Sequence, residues 1–98
     1  MAVVVTLDLR YKPEAAAEGI AKLQASLADT RAFEGNRGVR MLVGADDPTR
    51  VLLVEDWESR EAQQAYVAWR AEGRSSLTPD RLEAPPTVSF FEDRFSAA

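Results

Sequence analysis

Four short segments of the chain have the apolar patterns of β-strands: the first two alternate between apolar and polar residues, and the other two contain consecutive apolar residues. These segments are residues 2–11, 39–43, 51–57 and 88–95. In the first of them every second residue from Val3 to Leu9 is apolar. These patterns predict four strands.

Two other segments repeat their apolar residues with the spacing of an α-helix. The first covers about residues 13–30, and its apolar stripe consists of Ala16, Ile20, Leu23 and Leu27. The second follows Ser59, a residue type that commonly caps helix N-termini, and ends near Gly73. One face of this second helix is predicted to contain Ala62, Ala65, Tyr66 and Trp69. A short helical turn is expected at residues 78–80.

The order of these elements, β-α-β-β-α-β, is that of the ferredoxin-like fold. We therefore predict a single α+β domain over residues 1–98, with a four-stranded antiparallel sheet and two helices on one face. Ninety-eight residues suffice for one domain with its own core.

Several strands are apolar on both faces, although helices can cover only one. Residues 3–5, 51–54 and the pair Phe90-Phe91 interrupt the alternation with consecutive apolar residues. A large apolar patch is costly to expose, so the sequence predicts a homodimer in which two sheets pack face to face. Two alternatives remain open: the C-terminal tail lies across this face of the sheet, or the consecutive apolar residues occur by chance and do not indicate a buried face.

The composition of the chain excludes several types of catalytic and metal-binding site. The chain has no Cys and no His, which excludes disulfides, thiolate nucleophiles, catalytic triads with His, and imidazole ligands for metal or haem. Twelve basic and sixteen acidic residues give a net charge of −4, which disfavours nucleic acid as a partner. No apolar run is long enough to span a membrane, and no signal peptide is recognisable, so we expect a cytoplasmic protein.

Three segments resemble a known family. They are residues 30–39 (TRAFEGNRGV), residues 46–48 (DDP) and residues 53–62 (LVEDWESREA). Together with the order of elements, they are similar to the antibiotic biosynthesis monooxygenase (ABM) domains of the dimeric α/β-barrel superfamily. The resemblance implies ferredoxin-like protomers that pair through their sheets, with a pocket between sheet and helices. It also implies the oxidation of anthrones, quinols or similar polyphenols by O2 without a bound cofactor.

Haem degradation, the activity of another branch of this family, is disfavoured by the residues present. Tyr66 stands where many relatives place a histidine, which ligates iron in that branch. The asparagine that the branch carries on its first strand also has no match, since Thr6 and Asp8 occupy that region. Asn36 belongs to a glycine-rich turn and receives no catalytic role.

Two aromatic residues are the candidate catalytic groups. Trp57, at the end of the third strand, matches a tryptophan common in the family, and its indole could stack on a flat substrate and donate a hydrogen bond. The alternative is a core tryptophan whose N–H is satisfied by backbone. Tyr66 could bind a phenolic oxygen or help to remove its proton, or it could only fill the core.

Three further residues are candidates for binding the substrate. Trp69 follows Tyr66 by three residues on the same helix, although packing alone would also explain it. Arg40 could offset the charge of a phenolate, or it could face solvent or a subunit interface. Tyr11, at the end of the first strand, is either a pocket wall or an edge residue.

Paired acidic residues raise the question of a metal site. Asp46-Asp47 is explained by a turn, because Asp side chains hydrogen-bond nearby backbone. Glu55 and Asp56 point to opposite faces of a strand and cannot chelate one ion together. We therefore predict no metal, and the family resemblance implies that no other cofactor is needed.

The leading functional hypothesis is thus a homodimeric, cofactor-independent monooxygenase that acts on a small aromatic substrate with O2. A non-catalytic small-molecule-binding protein of the same fold, and a polyketide isomerase or cyclase, are the alternatives.

Overall fold

The computed structural model describes residues 2–98. Its regular elements are, in chain order, β1 (Val3–Arg10), a 3-10 turn (Pro13–Ala15), α1 (Ala16–Ala32), β2 (Asn36–Val43), β3 (Arg50–Trp57), α2 (Arg60–Ala71), a second 3-10 turn (Pro79–Arg81) and β4 (Thr87–Phe91). The strands form one antiparallel sheet in the order β2-β3-β1-β4. This arrangement confirms the predicted ferredoxin-like fold.

Both helices pack on the same face of the sheet, which we call the inner face. Alternate residues of β1 and β3 point to it: Val5 lies opposite Glu55, and Leu9 lies opposite Val51. Leu9, Val51 and Leu23 of α1 belong to one buried cluster. Val3, Val5 and Trp57 form a second cluster, against which residues of α2 pack. Apolar burial on this face is what holds the helices to the sheet.

Local signals explain where α2 begins. The Ser59 side chain accepts a hydrogen bond from the backbone N–H of Ala62 at 3.1 Å, so Ser59 is the predicted N-cap. Gly35, in the turn before β2, has a φ of +92°, a backbone conformation that residues with a Cβ rarely adopt. A Cβ at Gly35 would also come within 2.5 Å of the Ala62 Cβ. The turn and the start of α2 therefore pack closely.

Two predicted elements are wrong in detail. The last strand ends at Phe91 rather than at residue 95, and residues 92–98 form no helix or strand. The inner side of α2 is also rotated from its predicted position, because Gln63 is the buried residue of the helix while Ala65 is exposed. A polar residue occupies the buried position, so apolar periodicity could not locate it.

The opposite side of the sheet, which we call the outer face, has no helix on it. Its residues include Val4, Val54 and Leu52, together with Leu42 and Phe91. Leu42 is 38% exposed and Phe91 is 53% exposed. The C-terminal tail leaves part of this face open: residues 92–94 lie near Val4 and Asp56 at one end of it, but Leu42 and Phe91 stay exposed. Within residues 2–98, no helix combines the length and apolar character that a membrane crossing requires.

Candidate functional site

A cavity of about 510 Å³ lies between the inner face of the sheet, the two helices and residues 75–77. Its wall is mainly apolar and is formed by Leu7 and Leu53 from the sheet, Leu23 and Leu27 from α1, and Val88 and Phe90 from β4. The volume is within the range of small-molecule sites. The cavity can therefore take a flat aromatic molecule of a few fused rings.

Glu55 is the one acidic side chain among the described residues that line this cavity. It is only 3% exposed, and its strand neighbours in register are Val5 and Val39. The indole N–H of Trp57 donates a hydrogen bond of 3.0 Å to its Oε1. Burial raises the pKa of the Glu55 carboxyl above its ordinary value, and the Trp57 hydrogen bond and the positive charge of Arg70 only partly oppose this rise.

Tyr66 contributes a hydroxyl that is tied into a polar network. Its oxygen lies 2.7 Å from Oγ1 of Thr30, a fully buried residue of α1. The Nε–H of Arg70 donates to the same hydroxyl at 2.8 Å. Both Tyr66 and Arg70 line the cavity. The network therefore links α1 to α2 beside the site.

Arg70 is fixed from several directions. Its Nη2 donates to the Ser26 carbonyl at 3.0 Å and to Thr30 Oγ1 at 3.3 Å, and its Nη1 donates to the Arg74 carbonyl at 3.0 Å. A guanidinium held in this way is a positioned positive charge that need not reorganise when a negative charge forms nearby.

Aromatic rings pack behind the polar network. The ring centroid of Tyr66 lies 5.1 Å from that of Trp57 and 5.4 Å from that of Phe33. Trp69 extends the cluster outward, 6.2 Å from Tyr66, and the guanidinium of Arg70 lies 5.0 Å from its ring centroid. These contacts orient the Tyr66 ring from the side away from the cavity.

Of the two predicted catalytic residues, only one lines the cavity. Tyr66 lines it, whereas Trp57 is fully buried and does not. The Trp57 N–H is satisfied by the Glu55 side chain, not by backbone as the packing alternative supposed. Trp57 thus reaches the site only through Glu55 and Tyr66.

The three predicted binding residues do not line the cavity either. Trp69 belongs to the aromatic cluster beside it. Arg40 is exposed on the outer face opposite Val54, so the sheet separates it from the cavity. Tyr11 is a core residue, 2% exposed, whose hydroxyl donates to the Gly19 carbonyl at 3.4 Å.

Six polar residues that line the cavity were not among the predicted site residues: Glu55, Gln63, Gln64, Arg70, Ser75 and Ser76. A signal for Glu55 existed, because it alternates with Leu53 and Trp57 on the buried side of β3. Gln63 and Arg70 are seven residues apart on α2, with Tyr66 between them, which is the spacing of one helix face. Only the position of the cavity shows that this face is the relevant one.

No group of three or more acidic, His or Cys side chains that could hold a metal occurs in the described part of the chain. Glu55 is buried on the inner face and Asp56 is exposed on the outer face, as the alternation of the strand predicts.

Comparison with known proteins places these features in context. The sequence profile of the family described as antibiotic biosynthesis monooxygenase matches residues 2–71. No curated protein sequence matches the chain significantly.

Solved structures share the fold over almost the whole chain. Rv0793 from Mycobacterium tuberculosis is 25% identical, with a TM-score of 0.79 and coverage of 100% of both chains. A protein from Deinococcus radiodurans, described as a candidate antibiotic biosynthesis monooxygenase, is 18% identical, with a TM-score of 0.83 and coverage of 98% of this chain and 96% of that chain.

Proposed function

The chain belongs to the antibiotic biosynthesis monooxygenase family, and from this membership we propose that it is a cofactor-independent monooxygenase that oxidises an anthrone, a quinol or a related electron-rich polyphenol with O2. One observation carries the proposal: a mainly apolar cavity of about 510 Å³ whose lining includes Glu55 of β3 together with Gln63, Tyr66 and Arg70, which share one face of α2. A flat ring fits the apolar wall, and its oxygen substituents meet the polar groups.

The substrate itself supplies the electrons in this reaction. Once it has lost a proton, an anthrone or quinol can pass an electron to O2, so the chemistry does not require a redox group on the protein. In the net reaction of an anthrone, its methylene carbon loses two hydrogens and gains one oxygen atom. The second oxygen atom of O2 leaves as water with those two hydrogens.

The protein's part is to bind the ring, exclude water and stabilise the anion. Tyr66 contacts the phenolic oxygen of the substrate. Arg70, which donates to the Tyr66 hydroxyl, places a positive charge beside that oxygen. We assign charge compensation to Arg70 instead of Arg40, because Arg40 lies across the sheet. Trp57 is a positioning residue that holds Glu55 and packs on Tyr66.

The test is aerobic incubation with a panel of anthrones and naphthoquinols in the presence of a chelator. Quinone absorbance and O2 uptake are followed against the spontaneous oxidation. We expect a rate well above the spontaneous one that persists with chelator. A rate no faster than spontaneous oxidation across the panel would overturn the proposal. Ligand binding without turnover would then favour the non-catalytic binding protein, and product formation without O2 uptake would favour an isomerase or cyclase.

We also propose that two copies assemble through their outer faces. Among the described residues of this face, Leu42 and Phe91 are exposed apolar side chains, and Val54 beside them is only partly buried. The family resemblance implies the same pairing. A second sheet would bury these residues and leave each cavity on the far side, between its own sheet and helices.

A further inference from the structure

Burying an ionisable carboxyl such as that of Glu55 costs free energy unless the group is paired with a charge and hydrogen-bonded. Among the described residues the Glu55 side chain forms no ion pair, and its one hydrogen bond comes from Trp57 to Oε1. If Glu55 served only to satisfy the indole N–H, a neutral glutamine would do so without the cost of a buried charge. Glu55 lines the cavity, and no hydrogen bond from the described residues reaches its Oε2, which is therefore left for a ligand in the cavity.

We propose that Glu55 is the proton acceptor of this site, and that its substrates are ring ketones or phenols whose reacting C–H or O–H bond is acidic. This inference rests on the proposed function, because it names the group that generates the reactive anion. It adds a catalytic residue to that function and restricts the substrate to compounds that a carboxylate can deprotonate.

The step is a simple proton transfer. The C–H or O–H bond of the substrate breaks, and an O–H bond forms at Oε2 of Glu55. The electron pair stays on the substrate as an enolate or phenolate, whose charge faces Arg70 and the Tyr66 hydroxyl. Trp57 keeps its hydrogen bond to Oε1, so the carboxyl need not turn during the transfer.

The environment of Glu55 suits this role. An acceptor works best when its pKa lies nearer that of the donor, and burial moves the pKa of Glu55 upward. Arg70 is the charged group that acts on it. The other polar side chains that share the cavity are Gln63, Gln64 and Tyr66 from α2 and Ser75 and Ser76 after it, while α1 and β4 present only apolar side chains to the cavity. No second carboxylate competes for the proton within the cavity wall that the structure describes.

The experiment separates proton transfer from oxygen chemistry by removing O2. An anthrone is incubated anaerobically with the protein in D2O, and the exchange of its methylene hydrogens is followed by NMR. We expect the wild-type protein to accelerate exchange and Glu55→Gln to lose at least about tenfold of that acceleration. Glu58→Gln is the matched control, because Glu58 is exposed and lies outside the cavity. Glu55→Asp is expected to recover part of the rate.

The outcomes are distinct. Exchange that the wild type catalyses and Glu55→Gln loses, without aerobic oxidation by the wild type, would refute the monooxygenase proposal but keep the role of Glu55. Aerobic oxidation with equal exchange rates in wild type and Glu55→Gln would refute the role of Glu55 but keep the monooxygenase. The exchange rate of the wild type should also rise with pH as Glu55 ionises, and this dependence should vanish in Glu55→Gln. Circular dichroism and thermal melts establish that the variants compared are folded.

Discussion

Replacement of Tyr66 by Phe tests whether the network beside the cavity contributes to stability as well as to the site. The substitution keeps the ring and its packing on Trp57 and Phe33, and removes only the hydroxyl. Two hydrogen bonds disappear: the bond of 2.7 Å with Thr30 and the bond of 2.8 Å from Arg70.

The expected cost follows from these two bonds. A hydrogen bond between neutral groups contributes about 1 kcal/mol, and one that involves a charged group contributes about 1.5–3 kcal/mol. The loss is partly offset, because Thr30 Oγ1 still accepts from Arg70 at 3.3 Å and Arg70 is partly exposed to water. We therefore expect Tyr66→Phe to lower the free energy of unfolding by about 2 kcal/mol. For a domain of this size, this loss corresponds to a melting point lower by roughly 8–16 °C.

Urea unfolding followed by tryptophan fluorescence measures the change. All variants are compared at one protein concentration, because subunit association would add to the apparent stability. Thr30→Val removes the other partner of the same bond, and the double variant gives a coupling free energy that we expect to be about 1 kcal/mol. A Tyr66→Phe protein within about 0.5 kcal/mol of wild type would refute the reasoning.

The same two variants separate stability from catalysis. Both weaken the network, but only Tyr66→Phe removes a group that we place against the substrate. Turnover per folded molecule should therefore fall in Tyr66→Phe and change much less in Thr30→Val. Equal turnover in both variants would leave Tyr66 with a structural role alone.

Three further predictions concern the turns, the buried acid and the outer face. Gly35→Ala should destabilise the protein by about 2 kcal/mol, and Gly73→Ala by about 1 kcal/mol. Both glycines have positive φ, but only Gly35 lacks space for a methyl group. Equal unfolding free energies of the two variants in urea would contradict this. Since the pKa of Glu55 is raised in the folded protein, its contribution to stability is greatest at low pH and is lost as pH rises through the folded-state pKa. Glu55→Gln should therefore gain stability relative to wild type as pH increases from 4 to 8, and a difference that does not vary with pH would count against a buried, titrating carboxyl. Val54→Glu, on the outer face, should produce a monomer in analytical ultracentrifugation. Ala65→Glu, on the exposed side of α2, is the control and should sediment as the wild type does. A wild type that is itself monomeric would refute the proposed assembly.

The sequence determined the fold because the fold depends on patterns that are local in the chain. Alternation with a period of two marked the first two strands, and short, largely apolar runs marked the other two. A period near 3.6 marked both helices, and Ser59 marked the start of α2. The order of these elements leaves few ways to bury the apolar residues, and the ferredoxin-like arrangement is one of them. The family resemblance rested on the same segments and is matched by the family profile over residues 2–71.

The site was predicted less well, because it depends on contacts between residues that are far apart in the sequence. Thr30 meets Tyr66 and Arg70 only when α1 and α2 lie side by side on the sheet. Trp57, chosen from its family position, proved to be buried behind the cavity. Glu55 is an ordinary acidic residue in the sequence and becomes a buried carboxyl only in the folded sheet.

The chain by itself thus determined which elements form and in what order, since hydrophobic periodicity is a property of neighbouring residues. Only the tertiary structure decided which polar side chains share the cavity, since that depends on how each helix is rotated about its axis. Gln63 shows the difference: a polar residue on the inner side of α2 is invisible to an apolar pattern, yet it is the buried residue of that helix. The rotation of α2 therefore decides which polar groups line the cavity.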